Sequence, residues 1–142
     1  MSDDEITLLS QKKVCVLGLG GLGGYIVEML SRIGVGSLTL VDGDVFDETN
    51  LNRQILSNEL TIGQSKAITA EKRIKIVNSD TKIIPIEDYI DKDNAKGYLK
   101  EHQVVIDALD DISIRFILQE ACLKLKTPLI HGAIGGWYGQ VS

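Results

Sequence analysis

The stretch KVCVLGLGGLGGYIVEMLSRIGVGSLTLVDGD, residues 13–44, decides the fold. It opens on a short β-branched run, KVCVLGLGG, that ends in glycines. It continues with YIVEMLSRIG, in which Ile26, Val27, Leu30 and Ile33 recur at helical spacing. Gly34 and Gly36 stop that helix, and SLTLVDGD supplies a second strand whose Leu38, Leu40 and Val41 are apolar and whose carboxyl end is Asp42. Strand, tight turn, helix and strand make a βαβ unit, which predicts parallel strands joined by a right-handed crossover.

The rest of the chain repeats the alternation. Residues 64–78 mix apolar and charged groups with helical period, and TKIIPIED (81–88) reads as a strand whose Pro85 suits a sheet edge or a strand end. A helix is expected near residues 93–101, then a buried strand in QVVIDALDD (103–111), a helix over about 112–126 and a last strand in TPLIHGAIGG (127–136). Five strands alternating with four helices predict an α/β fold, a doubly wound, mostly parallel, Rossmann-like sheet with helices on both faces. No linker, internal repeat or low-complexity tract divides the chain, so residues 1–142 are expected to be a single nucleotide-binding domain.

Composition bounds the function. The 142 residues are 44% hydrophobic, 25% charged and 5% aromatic, enough for a real core and unlike a disordered or collagen-like chain. A net charge of −5 offers no broad basic surface, so neither nucleic acid nor an anionic membrane is the expected partner. Cys15 and Cys122 sit in apolar runs, as reduced core thiols do, and make no disulfide framework or metal pair. The acidic opening MSDDEITLLSQKK lacks the apolar segment of a signal peptide, and no apolar run is long enough to span a membrane; a cytoplasmic protein is expected.

The chemistry is expected at the carboxyl ends of the strands, where helix N-termini and the ligand crevice lie. Asp42, Asp107, Asp110 and His131 map to that edge. Gly18, Gly20 and Gly23 have G-x-G-x-x-G spacing, with Gly21 and Gly24 besides. Such a turn lets backbone approach a ligand and leaves helix amides, carrying roughly half a positive charge, to face an anion. Asp42 follows Gly23 by 19 residues, the distance that places a carboxylate on ribose hydroxyls, so glycine turn and carboxylate together indicate an adenosine nucleotide. No G-x-x-x-x-G-K-[ST] loop occurs.

Residues 43–63 are polar, irregular and too long for an ordinary connection, which marks them as an active-site segment. That loop carries Asn50, Arg53 and Gln54, and Lys66 follows at the start of the next helix; this set suits a polyphosphate better than a nicotinamide. Leu51, Ile55 and Leu56 are expected to tuck the loop onto the core. Asp107, Asp110 and Asp111 crowd one strand end, where repulsion calls for a cation such as Mg²⁺. Asp111 also reads as a helix cap and Asp107 as a backbone acceptor, leaving Asp110 as the metal candidate. His131 reads as a structural histidine first and a ligand contact second, His102 as a surface residue, and Trp137 and Tyr138 as closing the sheet.

In order, GLGGLG (18–23), VDGD (41–44), NLNRQ (50–54), GQSK (63–66) and DALDD (107–111) with Arg115 resemble the ThiF, MoeB and HesA adenylyltransferases, bacterial relatives of ubiquitin-activating enzymes. The resemblance implies ATP-dependent adenylation of the C-terminal glycine carboxylate of a ubiquitin-like sulfur-carrier protein ending in Gly-Gly, with release of pyrophosphate. It also implies a homodimer. It gives the residue matching Asp42 the ribose, those matching Gly21, Asn50, Arg53 and Lys66 the phosphates or the loop around them, and the one matching Asp110 the Mg²⁺. Catalytic work would then fall to Arg53, Lys66 and Asp110, with Gly18, Gly20, Gly21, Gly23, Asp42, Asn50 and Gln54 completing the ATP site.

The chain also departs from that family. Residues 1–13 contain no arginine to reach a neighbouring subunit's site, and Asp110-Asp111 stands where many relatives have Asp-Asn, so an altered metal site is expected. The family's paired C-x-x-C motifs, crossover loop and sulfur-handling cysteine have no counterpart within these residues, and a truncated domain is expected. A non-catalytic nucleotide-binding scaffold and an NAD-dependent oxidoreductase fragment stay open as alternatives.

Overall fold

The computed structural model describes residues 1–142. Its elements run α1 (Asp3–Leu9), β1 (Lys13–Leu17), α2 (Gly23–Arg32), β2 (Ser37–Val41), α3 (Lys66–Val77), β3 (Lys82–Ile86), α4 (Ala95–Leu99), β4 (Val104–Asp107), α5 (Ile112–Leu125), β5 (Leu129–Gly135) and β6 (Tyr138–Val141). The six strands form one sheet in the order β3-β2-β1-β4-β5-β6, in which all pairs are parallel except the antiparallel β5–β6 hairpin. This is the doubly wound α/β sheet expected from the alternation. The chain reverses between β1 and β4, and that switch point opens the crevice in such sheets.

Period-2 alternation along β1 divides the core. Val14 and Val16 face one layer with Leu38 and Leu40 of β2, Val27 of α2 and Ala67, Ala70 and Ile74 of α3. Cys15 and Leu17 face the other with Val41, Val105, Leu99 of α4 and Leu118, Ala121 and Cys122 of α5. Both sides of each central strand are covered by helices, which is why the strands read as continuous apolar runs. Both cysteines are buried and free; burial pushes the Cys15 thiol up to about 12 and raises Cys122 as well, so neither is a nucleophile at neutral pH. Pro85 lies in β3, the sheet edge, where a missing N–H costs no ladder bond.

Several local expectations need correction. Residues 3–9 form a helix that their acidity alone did not suggest; Ser2 and Glu5 make a reciprocal capping box, a signal present in the sequence as S-x-x-E. The final residues are a hairpin that turns at Gly136 and Trp137. The helix expected over residues 93–101 is the single short turn Ala95–Leu99. His102 is half-buried: its Nδ1–H donates to Leu99 O at 2.9 Å, and its Nε2 accepts from the Thr39 hydroxyl at 2.8 Å, tying α4 to β2. In the long loop Phe46 and Leu56 reach the core, whereas Leu51 and Ile55 stay exposed.

The layer beside the crevice is locked by Glu28 of α2. Its carboxylate accepts from Arg73 of α3 at 3.0 and 2.8 Å and from Arg32 at 3.0 and 2.8 Å. These bonds, those from Arg73 first, hold Glu28 below the usual carboxylate range against the opposing effect of burial. Its ionised form therefore stabilises the fold above the ordinary glutamate range of about 4.3, and that contribution is lost as pH falls through the depressed value. Thermal unfolding of Glu28→Gln should show a loss of about 1–2 kcal/mol at pH 7, because the arginine ends are open to solvent. The gap to wild type should narrow steadily as the pH falls below about 4 and vanish once Glu28 is protonated in the folded state; a gap that does not shrink with falling pH would contradict this assignment.

Candidate functional site

A cleft of about 760 Å³ opens at the carboxyl ends of the parallel strands. One wall is the turn after β1. Gly18 has φ +87°, and a side chain at Gly23 would place its Cβ 1.8 Å from the Gly18 carbonyl oxygen, so this turn closes only with glycine at both positions. No side chain caps α2, and the amides of Gly21, Leu22 and Gly23 donate to no backbone carbonyl. These donors sit at the positive end of a ten-residue helix, an arrangement suited to an anion.

Asp42 ends β2 and is buried. Its Oδ2 accepts the Leu19 N–H at 2.8 Å, and its Oδ1 accepts the Asp44 N–H at 2.8 Å. Burial raises its carboxyl above the usual range, against the lowering effect of those two bonds and of the Lys66 charge. Each oxygen keeps a lone pair for a ligand hydroxyl.

Lys66 opens α3 on the facing side. It is 7% exposed, its Nζ lies 5.6 Å from the Phe46 ring centroid, and it joins none of the chain's ion pairs although it lines the cleft. Ser65 caps α3 by accepting from the Ile68 amide at 3.3 Å, and the Lys66 N–H donates to Asp44 O at 3.0 Å. The N-terminus of α3 is thus pinned to the turn after β2.

The remaining residues singled out in the sequence are placed as follows. Gly18, Gly20, Gly21, Asp42, Arg53, Gln54, Lys66 and Asp110 line the cleft; Gly23 packs behind it and Asn50 does not reach it. Asn50 is buried within the long loop, where its Oδ1 accepts the Asp47 N–H at 3.0 Å and closes a 3₁₀ turn. The Arg53 stem lies along Gly21, while its guanidinium donates to Thr49 O at 2.9 Å and Asn52 Oδ1 at 3.1 Å. Gln54 is buried with its amide against Gly20, and its Oε1 has no hydrogen-bond partner within the chain.

The three aspartates read as crowded have different partners, although Asp110 and Asp111 both line the cleft. Asp107 is buried, accepts the Leu109 N–H at 3.0 Å and takes a bond from His131 Nδ1–H at 2.8 Å. Asp111 caps α5 through the Ser113 N–H at 2.8 Å, and its hydrogen bonds to Ser113 lower its carboxyl. Asp110 alone faces the cleft uncommitted, and no group of three or more His, Cys, Asp or Glu residues is gathered anywhere to hold a metal ion by itself. Backbone donors and a histidine thus engage Asp107 and Asp111, and Asp110 has neither.

Sequence reasoning missed both ends of the cleft: Asp44, Asp88, Tyr89 and Ile90 toward β3, and Ala133 and Ile134 of β5 at the other. Asp44 had a signal, as the second carboxylate of VDGD. Tyr89 had none, because an aromatic between acidic residues reads as surface.

Comparison with known proteins places this geometry. The ThiF family model matches residues 1–142. The chain is 38% identical over 138 residues to the tRNA threonylcarbamoyladenosine dehydratase of Haemophilus influenzae, covering 96% of this chain and 52% of that protein. It is 37% identical over 134 residues to the molybdopterin-synthase adenylyltransferase of Salmonella typhimurium, covering 94% and 54%. To the SAMP-activating enzyme E1 of Haloferax volcanii it is 36% identical over 134 residues, covering 94% and 50%. Among solved structures, the Escherichia coli tRNA N6-threonylcarbamoyladenosine dehydratase in complex with ATP superposes with a TM-score of 0.91 at 33% identity, covering 96% of this chain and 57% of that one. The chain thus spans about half the length of these relatives. Matched along its whole length by the family model, and sharing a sheet with an ATP-bound relative, the chain belongs to the ThiF family.

Proposed function

We propose that this chain is the nucleotide-binding part of an enzyme that uses ATP to adenylate the C-terminal glycine carboxylate of a small ubiquitin-like sulfur-carrier protein ending in Gly-Gly. The observation that carries the reading is Lys66, a buried ammonium that joins no ion pair, is only partly balanced by the Asp42 carboxylate, and lines the same cleft as the uncapped start of α2. Burying a partly compensated charge is costly, and a polyphosphate supplies further negative charge. The names of the Salmonella and Haloferax relatives, an adenylyltransferase and an activating enzyme, support the reaction class.

In this reading a carboxylate oxygen attacks the α-phosphorus, the bond from that phosphorus to the bridging oxygen breaks, and pyrophosphate leaves with the electron pair. The nucleophile arrives ionised, so no side chain has to remove a proton, and positioning with charge neutralisation does the work. Asp42 accepts the ribose hydroxyls on its free lone pairs. The amides of Gly21, Leu22 and Gly23 and the Lys66 ammonium take the phosphates. Arg53 joins them by exchanging its bonds to Thr49 and Asn52 for phosphate oxygens, which suit its planar fork. Mg²⁺, when bound, neutralises phosphate charge; Asp110 is the carboxylate that would hold it, and one carboxylate with phosphates and water is an ordinary set for this ion.

A second reading directs the same adenylation at a carboxylate carried on tRNA, which the name of the Haemophilus relative favours and the net charge of −5 disfavours. The reading also includes a homodimer: Ile112, Phe116 and Leu123 expose one apolar face of α5, and Ile134 and the fully exposed Trp137 are open as well. Sedimentation should give twice the monomer mass, and a concentration-independent monomer would contradict the pairing.

ATP–pyrophosphate exchange with the full-length natural protein separates the readings. Exchange should depend on the Gly-Gly carrier and fall by about 10²-fold in Asp110→Ala and in Lys66→Ala. Exchange that depends on tRNA would favour the second reading, and no exchange, or exchange unchanged in Asp110→Ala, would refute the mechanism. Lys66→Ala should lower ATP affinity at least about tenfold in calorimetry while its thermal stability stays within about 1 kcal/mol of wild type, since no ion pair is lost. Unfolding of the variant would show instead that Lys66 serves the core.

A further inference from the structure

At the end of the cleft beyond Asp42, an aromatic ring is latched in place by a bond that the adenylation step itself does not require. Asp44 is the junction. Its N–H donates to Asp42 Oδ1 at 2.8 Å, its carbonyl accepts the Lys66 N–H at 3.0 Å, and its carboxylate accepts the hydroxyl of Tyr89.

Tyr89 arrives from the segment between β3 and α4 with both backbone polar groups already bonded. Its N–H donates to Asp88 Oδ1 at 2.8 Å and its carbonyl accepts from Asn94 Nδ2 at 2.8 Å. Asp88 is anchored in turn by the Tyr98 hydroxyl at 2.6 Å. The backbone is thus held at three points, and the ring moves only about its own side-chain torsions. It lies over Gly43, where a Cβ would stand 2.7 Å from Cδ2 and Cε2 and 2.8 Å from Cγ, so glycine is the residue that lets the ring seat. Seated, Tyr89 lines the cleft beside Asp42 and Ile90 yet remains 63% exposed. Burial of that extent holds a ring weakly, so the hydroxyl bond to Asp44 is what keeps it down.

We propose that Tyr89 is a positioning residue for the nucleoside end of the site: its bond to Asp44 seats the ring as a wall beside Asp42 and steadies the turn whose amide orients the Asp42 carboxylate. The inference rests on the adenylate reading and assigns one part of that site. Lys66 meets Asp44 through its backbone amide, on the Asp44 carbonyl and not on the latched carboxylate, and its ammonium end rests against Phe46, so the phosphate end does not depend on the latch. A general structural role would weaken every ligand together, whereas a role at the nucleoside end separates ligands that have a nucleoside from those that lack one.

Calorimetric titration of the full-length protein with AMP and with inorganic tripolyphosphate reads that separation. Tyr89→Phe keeps the ring and removes the latch, and should weaken AMP by about fivefold. Tyr89→Ala removes the wall as well and should weaken AMP by about twentyfold, with tripolyphosphate within about twofold of wild type in both variants. Unchanged AMP affinity in Tyr89→Ala overturns the proposal, and so does equal weakening of AMP and tripolyphosphate. A wild type that binds neither ligand contradicts the adenylate reading and this inference with it; a wild type that binds AMP beside indifferent variants contradicts the inference alone.

Discussion

The carboxylate of Asp42 accepts the Leu19 N–H at 2.8 Å and the Asp44 N–H at 2.8 Å, so one side chain joins the glycine turn after β1 to the turn after β2. Asp44 then passes the connection to α3 through the Lys66 amide at 3.0 Å. Three segments that carry the cleft's polar groups are positioned by this short chain of bonds. Burial works against the ionised Asp42 and raises its carboxyl, while two backbone donors and the Lys66 charge oppose the shift. The site thus holds a desolvated carboxylate and a desolvated ammonium facing the same space, each only partly compensated by the protein.

Such an arrangement is maintained by what surrounds it. Helices α2 and α3 both direct their N-termini at the cleft, and the bidentate bond from Arg73 to Glu28 fixes one helix against the other behind it. The positive ends of two helices, the amides of the glycine turn and Lys66 give the cleft donors and positive charge, and Asp110 lines the same space. In the proposed function a triphosphate chain bound in this cleft would meet both these donors and the Asp110 carboxylate. The oxidoreductase alternative gains no support from the comparisons, in which the ThiF family model matches residues 1–142.

The sheet was legible because its signals are local and periodic. KVCVL and SLTLV fill both faces of buried parallel strands, Gly34 marks a helix stop with φ +92°, and the glycine turn announces a close approach that the Gly18–Gly23 packing makes plain. Asp42 and Lys66 could be placed on the cleft from sequence because strand ends and helix starts can be located along the chain. What escaped depends on contacts distant in sequence. Asp107, Asp110 and Asp111 look equivalent as letters, yet one meets His131 from the next strand, one caps a helix and one faces the cleft. Asn50 looked like a ligand group and is used to close its own turn. Tyr89 meets Asp44 across 45 residues, a pairing that no spacing rule encodes.

The central claim is that Lys66 and the amides of the glycine turn grip phosphates while Asp42 holds the ribose. A crystal structure of the full-length protein with a non-hydrolysable ATP analogue tests it most directly. The account requires the Lys66 ammonium and the Gly21–Gly23 amides within hydrogen-bond distance of phosphate oxygens, and an Asp42 oxygen on a ribose hydroxyl. A nucleotide bound elsewhere, or bound in the cleft with Lys66 still against Phe46 and turned away from every phosphate, would contradict it.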